Sequence, residues 1–305
     1  DKAVEILQAI KTKYEREMGK VRNRLPLHLG IVYAQRRTPL RAVLDAGRRM
    51  LKYELGQIKD NVWTVAEDAQ VESLPTHQGT QFATTIHVQL TQNGRQLSWH
   101  VPAKMGDGNT PDNWYPYVFV QGDMSNRQLA FKAPRPKSDC KTEAGTLVHA
   151  SQLKKGDEVY FTPATFDFQW LDNTGRRFEI AYDQNGKRRN HLTRPYLLDD
   201  LDQMQAAWDI LQKLSKNQLY ALRDTIEMKR EAWFEEPQTS LTDKTFAQFC
   251  ADVVANTKGI TASDSAKVSR WAISGLLADV VQLYVSVMKQ NQEQQTNNQE
   301  QAHEQ

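Results

Sequence analysis

Basic side chains in two short stretches are the residues whose types and spacing best suit chemistry with a ligand. Guanidinium and ammonium groups bind phosphate oxygens, and a guanidinium does so through two parallel hydrogen bonds. The candidates for contact with nucleotide or RNA phosphates are Arg36, Arg37, Arg48, Arg49, Lys52, Lys187, Arg188 and Arg189.

The distribution of charge favours the same interpretation. The 305-residue chain has a net charge of only +2, yet residues 1–60 hold 14 Lys and Arg against 7 Asp and Glu. A local excess of positive charge attracts an anionic partner such as a nucleotide or RNA. A solvated helix face is the alternative, and charge alone does not decide between the two.

Carboxylate and histidine residues form no known catalytic motif, so we assign no catalytic residue and no metal ligand in this chain. The Gly/Asp-rich stretch at 105–113 lacks the spacing of a calcium loop. His87 opposite His100 offers two ligands where zinc takes three or four. The acidic run at 199–202 opens a predicted helix, whose dipole it stabilises.

Aromatic and cysteine residues give weaker indications. Phe166, Phe168 and Trp170 are candidates for base stacking, although their spacing is also typical of a strand packed in a core. Cys140 and Cys250 lie far apart without a CxxC motif, which favours a reduced chain. With no signal peptide and no apolar run of membrane-spanning length, we expect a cytoplasmic protein without a membrane partner.

The first 70 residues predict the order α, β, α, β. Apolar spacing predicts a helix over residues 2–21 and a strand over 25–33. Thr38-Pro39 then opens a helix, and residues 61–66 form another strand. The predicted buried stripe of the second helix consists of Leu40, Val43, Leu44, Gly47, Met50 and Leu51. This order suggests the second half of a β-α-β-β-α-β palm, a ferredoxin-like domain, whose first half would lie upstream of Asp1.

The middle and the end of the chain have different periods. From residue 79 the apolar period is two, and Asn93-Gly94 predicts a tight hairpin that places Val88 opposite Trp99. Residues 71–190 are therefore predicted to be a β-rich insertion. Residues 191–290 predict a C-terminal helical bundle, and the polar residues 291–305 predict a disordered tail. The expected fold class is α+β: a partial ferredoxin-like palm, the insertion and the bundle.

The stretch HLGIVYAQRRTPLRAVLDAGRRMLK (residues 28–52) resembles the end of the polymerase-like palm in the large subunit of type III CRISPR effector complexes. Gly30-Ile31, Arg36-Arg37 and Pro39-Leu40 match that family in order and spacing. RPYLLDDLDQM is similar to the start of the family's C-terminal helical domain. DNWYPYVFV, GDEVYFTPATFDFQWLD and GRRFEIAYD look like the Csx-type variant. The resemblance covers most of residues 1–290.

The resemblance implies a role in RNA-guided antiviral defence, with other effector subunits, guide RNA and target RNA as partners. In this family the palm converts ATP to cyclic oligoadenylates through two metal ions held by a GGDD turn, and an HD nuclease domain often accompanies it. Neither motif occurs in this sequence. We therefore expect no cofactor in this chain, and ATP and magnesium for a full-length parent. Members of the family often have a lysine near the nucleotide phosphates. The aligned position in this sequence is Leu55, with Lys52 and Lys59 close by.

Three functions are therefore compatible with the sequence. In the first, the chain would be a C-terminal fragment of the large subunit, which would complete the nucleotide-binding palm and contact other subunits or guide RNA. Alternatively it belongs to a catalytically inactive, structural or RNA-binding variant of that subunit. The third possibility is an unrelated RNA-binding protein whose basic helix follows phosphates.

Overall fold

The computed structural model describes residues 3–34, 36–51, 61–72, 85–92, 94–137, 141–171 and 194–285, without the side chains of Arg49, Leu51 and Gln238. The protein is a mixed α+β protein, with sheets and C-terminal helices. It divides into two compact units. The sheet unit comprises Glu5–Glu179 and Leu197–Asp199, and the helical unit comprises Asp1–Val4, Ile180–Tyr196 and Asp200–Gln305.

The first helix, α1, spans Ala3–Met18 and is followed by a short 3-10 turn at Gly19–Val21. Leu7, Lys11 and Tyr14 recur at helical spacing and are buried on one face of α1. The Tyr14 hydroxyl donates a hydrogen bond of 2.7 Å to the carbonyl of Leu25. This contact fixes α1 against the segment that leads into the first strand.

A small three-stranded sheet contains that first strand. β1 spans His28–Ala34 and pairs in parallel with β10, Thr165–Leu171. β11, Tyr196–Leu197, follows β10 in the order β1-β10-β11. The helix α2, Leu40–Leu51, packs against β1 and β10. The segment β1-α2-β10 is therefore a parallel β-α-β unit, and the whole larger sheet is inserted between α2 and β10.

The strand predicted at residues 61–66 is present, but the expectation that it shares a sheet with β1 is wrong. It forms β2, Val62–Val65, and pairs antiparallel with β4, Thr85–Gln92, and with β9, Glu158–Tyr160. The physical reason is burial, because Trp63 and Val65 each lose nearly all their exposed surface in the core of the second sheet.

The larger sheet has eight strands and is antiparallel throughout the described pairs. Its remaining strands are β3, Gln70–Glu72; β5, Arg95–Pro102; β6, Tyr117–Val120; β7, Ala130–Pro136; and β8, Thr142–His149. The order is β3-β4-β2-β9-β6-β8-β7, and β5 pairs with β4. One hydrophobic cluster draws most of its residues from β2, β4, β5, β6, β8 and β9, so these strands share one core.

The β4–β5 hairpin confirms the register predicted from Asn93-Gly94. Val88 lies opposite Trp99, and Gly94 has the positive φ of 78° that the tight turn requires. The Trp99 indole also donates a 2.8 Å hydrogen bond to the carbonyl of Gly19. The hairpin is thereby attached to the turn that follows α1.

The helical unit contains α3, Asp200–Leu211; α4, Lys216–Trp233; α5, Lys244–Ala255; α6, Ala262–Ser274; and α7, Leu276–Tyr284. Nearly every residue of α7 is buried, and this helix contacts α3, α4 and α6. Gly275, at a positive φ of 83°, separates α6 from α7. The predicted helical character of this region is confirmed, while residues 291–305 lie outside the described chain.

Candidate functional site

The predicted phosphate contacts fall partly within the described residues. Arg36 and Arg37 are exposed just before α2, and Arg48 is exposed on α2 itself. Arg49 lies in α2, but its side chain is outside the description, as are Lys52 and residues 187–189. Arg36, Arg37 and Arg48 are thus exposed on α2 and the residues just before it. Phosphate binding by all eight residues stays a prediction.

The outer face of α2 differs from the sequence prediction. Leu40 and Leu44, expected in the buried stripe, are 71% and 52% exposed. The helix packs against β1. Ala46 and Met50 are buried, whereas Leu40 and Leu44 are directed outward. Because positions 40, 44 and 48 lie four residues apart, the two leucines share their face with Arg48. The exposed surface of α2 therefore combines apolar and cationic groups.

Strand β1 is paired along one side only among the residues that the structure describes. His28, at its start, lies with Nδ1 2.7 Å from the Thr165 hydroxyl. Its Nε2 is buried without a hydrogen-bond partner in the described part of the chain, and burial lowers the pKa of the imidazole. An unpaired strand edge is a site where a further strand can add.

The aromatic residues suggested for base stacking belong to the packing of the small sheet. Phe166 and Phe168 are almost fully buried in β10. Trp170 stacks on Tyr33 of β1, with ring centroids 4.2 Å apart and planes 16° from parallel. Base stacking on Phe166 or Phe168 is therefore excluded, because neither ring has an exposed face.

The Gly/Asp-rich loop at 105–113 uses its carboxylates internally. Asp107 accepts hydrogen bonds from the hydroxyl and N–H of Thr110 and from the N–H of Asn109, which lower its pKa to about 2. Asp112 is buried and forms an ion pair with Lys20. Within the described residues no three His, Cys, Asp or Glu side chains form a group that could hold a metal ion.

The remaining candidates are placed as follows. His87 lies opposite His100, as the hairpin register predicted, with the rings stacked at 4.6 Å and 11° from parallel. Asp199, in the acidic run, pairs with Arg22 at 2.8 Å. Cys250 is a free, buried thiol whose pKa burial raises to about 11. Cys140 lies outside the described residues, so the redox state of the two cysteines stays a prediction.

One feature was missed at the sequence level. The stretch from Trp114 to Val120 lies in the predicted β-rich insertion, but its strand, β6, begins only at Tyr117. Trp114 and Tyr115 lie in the preceding loop and are 79% and 54% exposed. The signal that marks them is proline at 111 and 116, because proline supplies no N–H for a strand ladder.

Comparison with known proteins found no matching family model, no matching curated sequence and no matching solved structure. None of the helices in the described part of the chain is both long enough and apolar enough to cross a membrane.

Proposed function

We propose that this chain is the C-terminal portion of the large subunit of a type III CRISPR effector complex, of the Csx type, acting in RNA-guided antiviral defence. The proposal is supported by the order of the matched stretches. The Gly30-Ile31 pair lies in β1, Arg36-Arg37 lies in the connection, and Pro39-Leu40 opens α2.

The observation that carries the proposal is that, within the described part of the chain, β1 has a strand partner on one side only. A palm is a continuous sheet, and the resemblance places its GGDD-bearing strands upstream of Asp1. The unpaired side of β1 supports the addition of such a strand, because the backbone groups of an edge are a template for pairing. Since β2 belongs to the larger sheet, the palm contribution of this chain is reduced to α1 and β1, with α2 and β10 packed beside them.

In this proposal the chain is a scaffold for chemistry that occurs elsewhere in the parent protein. Phosphoryl transfer through two metal ions requires carboxylates that hold the metals, and the resemblance assigns these to the GGDD turn. The 305-residue chain completes the nucleotide pocket of the parent. Its exposed Arg36, Arg37 and Arg48 contact phosphates of nucleotide or RNA. ATP and magnesium are then ligands of the parent, and neighbouring subunits and guide RNA are its partners.

Purification from the native cells tests membership of the complex. A tag on the C-terminus of the full-length parent should recover short guide RNA together with repeated small RNA-binding subunits. Recovery of the protein with neither would contradict the proposal. Separately, the 305-residue chain incubated with ATP and magnesium should yield no oligoadenylate, and formation of such a product would show that a metal-holding site was overlooked.

A second candidate function is an RNA-binding protein outside this family, which the exposed arginines on the α2 segment favour. Replacing Arg36, Arg37 and Arg48 together by Ala should weaken RNA binding and flatten its salt dependence. Each phosphate contact with single-stranded RNA contributes about 0.7 to the slope of log K against log salt. The matched control replaces Lys258, Lys267 and Arg270 of the helical unit, which should leave the slope unchanged.

A further inference from the structure

The segment from Asp112 to Tyr117, which ends at the first residue of β6 and is here called the aromatic loop, carries two exposed rings on a tightly held backbone. The Asp112 carboxylate accepts hydrogen bonds from the N–H groups of Trp114, at 3.0 Å, and Tyr115, at 3.2 Å. These bonds fix the backbone at the two residues whose side chains point into solvent.

The residues that hold the aromatic loop from below are Asp112, Lys20 and His149. Asp112 is 1% exposed, and its second oxygen accepts a hydrogen bond from the Lys20 ammonium. Burial alone would raise the pKa of Asp112, but the bonds from Lys20 and from the two N–H groups lower it overall. His149 also contacts Asp112. Its Nδ1 accepts the N–H of Ser151, so Nε2 carries the proton and donates to the Asp112 carbonyl at 2.9 Å.

The carbonyl groups of the aromatic loop are also held. The guanidinium of Arg24 donates a 2.8 Å hydrogen bond to the carbonyl of Tyr115. The amide of Asn23 donates to the carbonyl of Tyr117 at 3.0 Å, and the Tyr117 hydroxyl donates to the carbonyl of Asn113 at 3.1 Å. The backbone is therefore restrained from both sides, and little of it is left to order when a ligand binds.

The two rings contribute little to the fold that holds them. Trp114 is 79% exposed and Tyr115 is 54% exposed, so the hydrophobic effect gives little reason for the position of the indole in particular. A buried ion pair is a costly way to hold a loop. A fixed backbone with solvent-facing rings is, by contrast, what a binding surface needs, because preorganisation lowers the entropy lost on binding.

The positive charge of Arg24 beside the two rings favours an anionic ligand. Arg24 is exposed and lies against the loop through its bond to Tyr115. The acidic residue of the loop, Asp112, is buried and neutralised by Lys20. Rings next to a cation suit single-stranded nucleic acid, whose bases stack on aromatic faces while the phosphates meet positive charge.

We propose that Trp114, Tyr115 and Arg24 form a platform for the unpaired bases of single-stranded RNA, and this inference rests on the proposed function for its choice of RNA. Trp114 and Tyr115 stack on bases, and Arg24 contacts a neighbouring phosphate. Recognition is independent of base identity, because every base has a π face.

The test measures binding of a labelled ten-nucleotide single-stranded RNA to the full chain by fluorescence anisotropy. Trp114→Ala should weaken the affinity about 10-fold, within the range known for loss of one stacked base, and Trp114→Phe should restore most of it. Trp233→Ala is the matched control, since Trp233 is an exposed tryptophan of the helical unit, and it should bind as the unaltered chain does. Arg24→Ala should lower the salt slope by about 0.7.

Three results would overturn the platform. The first is that the unaltered chain and Trp114→Ala bind RNA with equal affinity. The second is that duplex RNA binds more tightly than single-stranded RNA. The third is that Trp114→Ala abolishes recovery of a protein subunit with the tagged parent but leaves RNA binding unchanged. The proposed function is judged separately by recovery of guide RNA with the tagged parent. If guide RNA is recovered and Trp114→Ala binds RNA normally, only the platform is wrong.

Discussion

Arg230 is the residue whose contacts best explain how a buried charge stabilises the helical unit. It is 3% exposed and donates hydrogen bonds to the carbonyls of Ala272, at 2.5 Å, and Ile273, at 2.9 Å. Both carbonyls lie in the last turn of α6, where the regular helical hydrogen bonds run out, and that of Ala272 also accepts the N–H of Gly275 at 3.3 Å. A third bond reaches the hydroxyl of Ser240 at 2.6 Å, and the carboxylate of Glu227 lies 3.5 Å away.

Arg230→Ala should lower the free energy of unfolding by about 3 kcal/mol, because it removes the guanidinium donor from the Ala272 and Ile273 carbonyls and the cation beside the buried Glu227 carboxylate. Urea denaturation followed by circular dichroism measures the change. Arg270→Ala is the control, since Arg270 is exposed on α6, and it should alter stability by less than about 0.5 kcal/mol. Equal effects of the two substitutions would contradict the role given to Arg230.

His149 should make the sheet unit less stable at mildly acidic pH. Burial lowers the pKa of this imidazole in the folded chain, although the contacts with Asp112 oppose the shift. The unfolded chain therefore takes up its proton at a higher pH than the folded chain does. The stability contribution is complete above about pH 6.5, the ordinary histidine pKa, and is lost as the pH falls towards the folded value.

The measurement compares unfolding free energies at pH 7.5 and 5.5. The unaltered chain should be less stable at pH 5.5, and His149→Gln should lose a smaller amount over the same interval. Burial also lowers the pKa of His28, so His28→Gln should likewise reduce the difference in unfolding free energy between pH 7.5 and pH 5.5. A pH dependence that neither substitution changes would assign the effect to other groups.

Among the elements, those defined by local chemistry were predictable from the sequence. The β4–β5 hairpin followed from Asn93-Gly94 and a period of two, and α1 and α2 followed from apolar spacing and from Thr38-Pro39. Pairing between distant segments was not predictable, because nothing local distinguishes β10 from β2 as the neighbour of β1. In a parallel arrangement the partner lies far along the chain, and here the whole larger sheet intervenes.

The candidate sites follow the same division. Exposed arginines near α2 could be identified from charge and helical spacing. The prolines at 111 and 116 indicate that Trp114 lies outside a strand, but the exposure of its ring was not predictable, because exposure depends on what packs against the ring. Leu40 and Leu44 fit the apolar stripe of α2 equally well, but the position of β1 decides which face of the helix is covered.

The two faces of α2 should respond differently to substitution. Leu40→Gln with Leu44→Gln should change the unfolding free energy by less than about 0.5 kcal/mol, because both side chains are exposed. Met50→Ala should lower it by about 3 kcal/mol, because Met50 is 3% exposed and its removal leaves a cavity. Chemical denaturation measures both, and a large loss from the leucine pair would show that their face is covered.

At the scale of the whole molecule, the chain combines an interrupted β-α-β unit, a large inserted sheet and a helical unit with its own core. The buried residues of the helical unit come from each of the helices α3 to α7, and they include Leu201, Trp208, Leu222, Phe246, Val268 and Leu283. Trp208 stacks on Tyr284 with ring centroids 5.0 Å apart, and the Tyr196 hydroxyl donates a hydrogen bond to Asp279. Apart from Asp1–Val4, the helical unit is drawn from residues after 179, and a hydrophobic core of its own is the physical condition for independent folding.

We therefore expect residues 180–305 to fold as a separate domain. The isolated fragment should show the far-ultraviolet circular dichroism of a helical protein and a single cooperative thermal transition, because its helices pack mainly on one another. Trp208→Ala within the fragment should lower the midpoint by several degrees, since loss of a buried indole costs about 3 kcal/mol. A fragment that melts without cooperativity, or whose midpoint Trp208→Ala does not change, would mean that the helices depend on the sheet unit for their stability.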